Sequence, residues 1–277
     1  MPEPPRSRLA RALAESALVR LVTAYGETPE FVLLGGLVPD LLCRRAERQH
    51  VGTTDVDVQV DLEIQSGADN ASRLEDALQD SGFMPSGQCV WRWQDNSVPG
   101  SVVKIEFLAD LPGERAEAVI KFDGCQQLGA VNLRGTGFAA RDWELRPLVA
   151  EIGGHLVSVQ VRVATLPAYL LAKAHAAHGR GLEKDWYDLA YVIRFNDEGG
   201  PAAAAARVRG VFTSDLVGGT HTALGELAAN FIGPRDQGSM AYATTMVGLH
   251  PDLDFDIMAN DAVAAVAAFV DALEIGE

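Results

Sequence analysis

The chain is short of cysteine, of cations and of long apolar runs, and each shortage excludes something. Its three cysteines, Cys43, Cys89 and Cys125, show no CxxC spacing, and an odd count leaves at least one thiol unpaired. A disulfide framework is excluded, and a reducing compartment is expected. Lys and Arg number 23 against 38 Asp and Glu, a formal net charge of −15. That balance repels polyanions at long range and excludes a protein that coats nucleic acid. It does not exclude a nucleotide, because bound divalent cations invert the local charge of an acidic pocket. The longest apolar stretches, 31–34 and 166–171, fall far short of the roughly 20 residues of a membrane-spanning helix. The polar start, residues 1–8, carries no apolar signal core. The expectation is a cytoplasmic protein without membrane association.

What is present is apolar and patterned. With 277 residues, 48% of them hydrophobic, the chain suits a two-part globule, since single cores stop growing near ~250–300 residues. Leucines and valines at helical spacing predict a helix over 7–25, ended by Gly26; residues 31–34 read as a short buried strand running into Gly35-Gly36 and a further helix to about Arg45. Over 54–64, Asp55, Asp57, Gln59 and Asp61 alternate with Val56, Val58, Val60 and Leu62, which predicts a strand with one polar and one apolar face. A helix over 70–80 capped by Asn70, strands at 89–93 and 101–108 flanking a Pro99-Gly100 turn, and a last strand at 156–163 follow. From Pro167 the pattern turns helical, with helices at 167–178 and 183–195 around Gly179-Arg180-Gly181 and an Ala-rich helical remainder. The fold class expected is α/β (α+β), a mixed sheet with flanking helices over 1–163 followed by a helical half over 164–277.

The chemistry concentrates where the alternating strand follows the glycine pair. Two aspartates at i and i+2 on a strand project from the same face with Cα atoms roughly 6.6 Å apart at ~3.3 Å per residue, so their carboxylates can share cations. Phosphoryl transfer uses such ions to neutralise charge on a triphosphate. Gly35 and Gly36 let backbone approach a phosphate closely. A third acid is expected from a neighbouring strand. Glu106, on the face of Lys104 and opposite Ile105 and Phe107, is the candidate, with Asp110 as second choice. Asp61, roughly 20 Å from Asp55 along an extended strand at ~3.3 Å per residue, is too far to contribute.

The order strand, Gly35-Gly36, helix, Asp55-Val56-Asp57-Val58 resembles the DNA polymerase β-like nucleotidyltransferase superfamily. Leu170-Leu171-Ala172-Lys173, Gly179-Arg180 and Lys184-Asp185-Trp186-Tyr187-Asp188 narrow the resemblance to AbiEii-type nucleotidyltransferase toxins over roughly 31–195. The resemblance implies that Asp55 and Asp57 hold Mg²⁺ or Mn²⁺, that Gly35 and Gly36 face the NTP phosphates, that Lys173 neutralises the triphosphate, and that Asp185 completes the polar site; Glu106, from its strand face, either joins the metal ligands or takes the acceptor's proton. Lys184 stands as either a nucleotide-binding residue or the partner of a neighbouring acid. Asp188 shares a helical face with Asp185, and its alternative reading is an anchor for the helix pair. The implied reaction moves an NMP from an NTP to an acceptor hydroxyl, with the site expected in a cleft between the halves. The implied acceptor is a tRNA 3′ end, and the implied partner a cognate antitoxin.

Plainer readings stand beside these. A lone Asp-Val-Asp strand is ordinarily a half-buried strand, and it is the ordered combination of motifs that points to catalysis. His175 and His178 lack the acid of an HExxH site and fit packing between helices. Trp91 and Trp93 fit sheet packing, or base stacking. Arg44, Arg45 and Arg48 form a basic cluster or a solvated helix end. Asp252, Asp254 and Asp256 fit a loop. The rival activities are an aminoglycoside or lincosamide nucleotidyltransferase, which an acidic chain favours, and a catalytically silent binding relative.

Overall fold

The structure, a computed structural model, describes residues 7–98 and 100–274. It divides into two compact units. The first runs to Val38 and resumes from Gly52 to Ala164; the second takes Pro39–Val51 and the chain from Thr165 onward. The chain therefore leaves the first unit between the glycine pair and the Asp-x-Asp strand, and returns to it before that strand begins.

In the first unit, helix α1 (Arg8–Tyr25) begins on Ser7, whose hydroxyl accepts the Ala10 N–H, and ends at Gly26 in the left-handed region. Leu18, Leu21 and Val22 of the expected apolar face are buried, together with Ala14, whereas Leu9 of that face is exposed and Leu13 half-buried. Then come β1 (Val32–Leu33), β2 (Asp55–Gln59), α3 (Asp61–Gln65), α4 (Ala68–Asp80), β3 (Met84–Ser86), β4 (Cys89–Asp95), β5 (Val103–Ala109), β6 (Val119–Lys121), β7 (Gly129–Asn132), α5 (Gly137–Arg141), β8 (Trp143–Ile152) and β9 (His155–Ala164), while α2 (Val38–Leu42), between β1 and β2 in the chain, belongs to the second unit from Pro39 onward. One mixed sheet runs β3-β4-β5-β2-β1-β9-β8, with β7 paired to β5 and β6 to β7. The central strands β5 and β2 are parallel, while β2 and β1 are antiparallel. The apolar side of the β2–β5 ladder, with Val56, Val58, Ile105 and Phe107 at most 1% exposed, faces the core.

The strand expected over 54–64 stops at Gln59. Its alternation continues through Leu62 and Ile64, yet the chain turns into α3 at Val60. Backbone demand decides this. The Gln59 side-chain oxygen accepts the Asp61 N–H at 3.0 Å, and Asp61 accepts the Asp110 N–H at 3.0 Å. Glu63 accepts the N–H groups of Glu30 and Phe31 at 2.7 and 3.0 Å. Buried donors left unpaired cost more than a strand end, so two acids fold inward. Asn70 does not cap α4, which starts two residues earlier after Gly67; the Asn70 side chain instead bonds Glu63 and Tyr25. Pro99, half of the expected Pro99-Gly100 turn, lies outside the described residues.

Burial pushes the Glu63 carboxyl up to about 7 against the two backbone donors that favour its charge. A carboxyl raised in the folded state binds more protons folded than unfolded. Its stabilising contribution is complete below the unfolded value of 4.5 and is lost as pH rises through about 7. Thermal melts between pH 8 and pH 5 are expected to show stability rising by up to about 3 kcal/mol from this group, and Glu63→Gln should flatten that slope. An identical slope in the variant would refute the assignment.

The second unit is helical: α6 (Leu166–Arg180), α7 (Glu183–Phe195), α8 (Pro201–Phe212), α9 (Gly218–Ala229), α10 (Gln237–Leu249) and α11 (Phe255–Leu273). Gly181, left-handed at φ 59°, turns α6 into α7. Helix α7 is the centre of this unit, burying Trp186, Tyr187, Tyr191, Val192 and Ile193 with exposures of at most 1%. The segment Pro39–Val51 is fastened along it. Tyr187 receives the Val51 N–H at 3.2 Å, Tyr191 donates to the Arg48 carbonyl at 2.7 Å, and the Asp197 carboxylate takes the N–H groups of Arg44 and Arg45 at 3.1 and 2.9 Å. Of the three aspartates expected in a loop, Asp252 lies in one and pairs with Arg48 at 2.7 Å, Asp254 caps α11, and Asp256 stands in the first turn of α11, where an acid suits the helix N-terminus. No helix among the described residues is long and apolar enough to cross a membrane.

Candidate active site

Three neighbouring strands of the first unit carry one polar face. In register across the sheet, Arg92 on β4 lies beside Glu106 on β5, and Glu106 beside Asp57 on β2; the next row pairs Lys104 with Asp55. All are half-buried, whereas Trp93, Ile105 and Val56 on the opposite side are at most 1% exposed. The period-two alternation of three strands thus gathers three carboxylates and two cations on one surface.

The glycine turn is packed against this surface. The Leu34 N–H donates to the Asp57 carbonyl at 2.9 Å and the Gly35 N–H to the same oxygen at 3.3 Å. A Cβ on Gly35 would lie 2.7 Å from Asp57 Cβ and Cγ, and one on Gly36 would lie 3.0 Å from Thr53 Cβ. Gly35 is therefore glycine because the Asp57 side chain occupies the space of its missing methyl. Gly35→Ala is expected to push Asp57 off its position and lower activity about a hundredfold or more, in line with the sensitivity of reacting groups to ~1 Å misplacement. Gly36→Ala, against a threonine methyl that can yield, should cost much less. Equal losses in a steady-state assay would rule out this packing account.

The carboxylates are electrostatically strained. Burial first, then the neighbouring charge of Asp57, push the Glu106 carboxyl up to about 7, with Asp55 adding to the rise and Arg92 opposing it. Arg92 donates to Glu106 at 2.7 Å and lies 4.5 Å from the centre of the Trp91 ring. Lys104 stands 3.8 Å from one Asp55 oxygen, which is buried without a hydrogen-bond partner. An acidic face with an unsatisfied carboxylate oxygen and a carboxyl lifted by its neighbours has the donor chemistry of a hard divalent cation site. Among the described residues, no three His, Cys, Asp or Glu are gathered closely enough to form a metal-binding cluster. Asp110, the second choice for the third acid, is engaged elsewhere, accepting from Arg134 at 3.2 Å and from the Gly135 N–H at 2.8 Å.

The remaining predicted residues form a cluster within the second unit. Lys173 on α6 is 6% exposed, and its ammonium donates to Asp185 at 3.1 Å and Asp188 at 2.8 Å on α7. Arg180 grips Asp185 through two nitrogens at 2.6 and 2.8 Å. Burial lowers the Lys173 affinity for its proton, but Asp188 and Asp185 outweigh it and hold the ammonium charged; burial likewise works against the Asp185 charge, which Lys173 and Arg180 hold below the ordinary carboxylate range. The i, i+3 spacing of Asp185 and Asp188 aims both acids at one cation. Lys184, on the first turn of α7, is half-buried. His175 and His178 pair with Thr220 and Glu226 of α9, as inter-helix packing requires. Trp93 is fully buried.

Sequence reasoning missed two members. Arg92 gave no local signal, because its meeting with Glu106 depends on β4–β5 register. His50, fully buried, places Nε2 2.9 Å from Asp188; it precedes Asp55 by five residues, but a lone histidine in a predicted loop carries no pattern.

A mixed sheet whose Gly-Gly turn closes on an Asp-x-Asp strand, followed by a helical region, is the arrangement that the resemblance to nucleotidyltransferases leads one to expect. The family model described as nucleotidyl transferase AbiEii toxin, type IV TA system, matches residues 16–267. The chain belongs to this AbiEii nucleotidyltransferase toxin family. No protein of curated function and no solved structure matches it.

Proposed function

We propose that the chain is a divalent-metal-dependent nucleotidyltransferase that moves an NMP from an NTP to an acceptor hydroxyl, and that the acceptor is a tRNA 3′ end. The observation that carries the reading is the fit of Gly35 to Asp57. A backbone turn free of side chains, bonded to an acidic strand, leaves a phosphate and a carboxylate-bound cation within reach of each other.

In this reading Asp55 and Asp57, with Glu106, hold Mg²⁺ or Mn²⁺, which supplies charge neutralisation to the triphosphate. Gly35 and Gly36 border the phosphates. Lys173 has three N–H donors, two of them on Asp185 and Asp188, and offers the third to a phosphate oxygen. Asp185 orients that ammonium, and Lys184 adds positive charge for the nucleotide. As the alternative to joining the aspartates at the ion, Glu106, lifted towards neutrality by its surroundings, takes the acceptor hydroxyl's proton. Positioning and fixed charge supply the rate, as is general for phosphoryl transfer. Membership of a type IV toxin–antitoxin family supports an antitoxin as the regulatory partner. The net charge of −15 favours a cationic acceptor such as an aminoglycoside over RNA, which makes that drug class the informative competitor.

Incubation with each α-labelled NTP, Mg²⁺ and either total tRNA or an aminoglycoside panel separates the outcomes. Label in tRNA is expected; label in the drug alone would replace the acceptor, and label in neither would remove the enzymatic reading.

A further inference from the structure

We propose that His50 is a positioning residue for Lys173, acting through Asp188; the inference rests on the reading of Lys173 as a nucleotide-binding group. The Asp188 carboxylate is shared. One oxygen accepts from Lys173 at 2.8 Å and the other meets His50 Nε2 at 2.9 Å, with both the histidine and aspartate side chains fully buried. A carboxylate only accepts, so Nε2 carries the proton. Nδ1 is buried without a hydrogen-bond partner, which suits a bare ring nitrogen better than an N–H.

The ring is held from both sides. It stacks on Tyr187 at 5.0 Å with 26° between planes and meets the edge of Tyr191 at 4.9 Å. Those same tyrosines bind the backbone of Val51 and Arg48, the residues flanking His50 in the strap. Imidazole, carboxylate and ammonium therefore form a directed chain from a fixed backbone to Lys173. Arg180 performs the matching service for Asp185 through its two bonds. Each carboxylate beneath the ammonium is thus oriented by a second donor. With no solvent access at Asp188, water cannot replace the histidine N–H. Its loss removes the donor on that oxygen, so the carboxylate and the ammonium it holds shift together.

Two substitutions separate the donor from the ring. His50→Gln keeps an N–H near the Nε2 position and gives up stacking; His50→Phe keeps stacking and gives up the donor. Binding of MgATP, MgCTP, MgGTP and MgUTP is measured by calorimetry, with Lys173→Ala as reference and thermal melts recorded in parallel. For whichever nucleotide the wild type binds, His50→Phe should weaken Kd by roughly ten- to a hundredfold, matching ~1–3 kcal/mol for a lost buried donor. His50→Gln should stay within about threefold of wild type. Equal Kd in His50→Phe and wild type, or equal weakening in both variants, would overturn the proposal and leave His50 a packing residue. Wild type that binds no nucleotide would instead sink the nucleotidyltransferase reading and this inference with it. Should the variants not fold, the ¹⁵N-histidine spectrum of the wild-type chain decides: a solvent-protected Nε2–H assigned to His50 is expected, and its absence overturns the donor assignment.

Discussion

Asp57→Asn is expected to abolish NMP transfer, lowering kcat/KM by about a thousandfold or more, while leaving the melting temperature unchanged or slightly raised. On the proposed reading, the kinetic loss follows from removing a charged ligand to metal and nucleotide, worth several kcal/mol at ~1.4 kcal/mol per decade. The stability follows from the neighbours. Asp57 is half-buried and its charge is the second largest influence lifting Glu106, so neutralising it relieves repulsion within the sheet. Kinetics and melts on the same preparation check both halves. Activity retained within tenfold would remove Asp57 from the metal site, and a large fall in melting temperature would make it a structural acid.

Lys173→Ala is expected to do two things at once: abolish nucleotide binding and destabilise the second unit by about 3 kcal/mol. Removing one partner of a buried ion pair typically costs ~3–5 kcal/mol, because the other charge stays behind unpaired. Here the lower figure applies, since Asp185 keeps both bonds from Arg180 and Asp188 keeps His50. The double variant Lys173→Met, Asp188→Leu removes the charge pair together and should recover most of the lost stability without recovering activity. Denaturant melts and nucleotide binding on both proteins separate the roles. A double variant that regained activity would show that Lys173 serves packing alone.

The elements legible from sequence were those written in local chemistry. Helix α1 carried its apolar spacing and its stop at Gly26, α7 was bounded by its apolar spacing, and the two faces of β2 and β5 were written in alternation. Elements governed by distant groups were not. Nothing local distinguishes Gln59 from Leu62 in an alternating run; the chain bends there because Glu63 must reach the N–H groups of Glu30 and Phe31. The short helix α5 has too few residues to show a period. That Pro39–Val51 belongs with the helical unit follows from bonds to Tyr187, Tyr191 and Asp197, well over a hundred positions later in the chain.

The candidate site divides the same way. The strand spacing pointed to Gly35, Asp55 and Asp57, and the family resemblance added Lys173 and Asp185. The reason Gly35 must lack a side chain is the position of Asp57, which only coordinates supply. Arg92 and His50 act on Glu106 and Asp188 across strands and across units of sequence, so neither belongs to a local motif. Long-range pairing of this kind is also where the chain departs from a plain acidic face, since each cation moderates a carboxylate that would otherwise repel its neighbours.

The most direct test of the metal–nucleotide face is Mn²⁺ binding followed by electron paramagnetic resonance in the presence of each NTP. Wild type should show Mn²⁺ drawn from solution into a protein-bound signal that strengthens with nucleotide, and the combined Asp55→Asn, Asp57→Asn variant should leave the ion free. A variant that binds Mn²⁺ and nucleotide as tightly as wild type would contradict the account, because the ion would then be held by other residues than the paired aspartates beside Gly35.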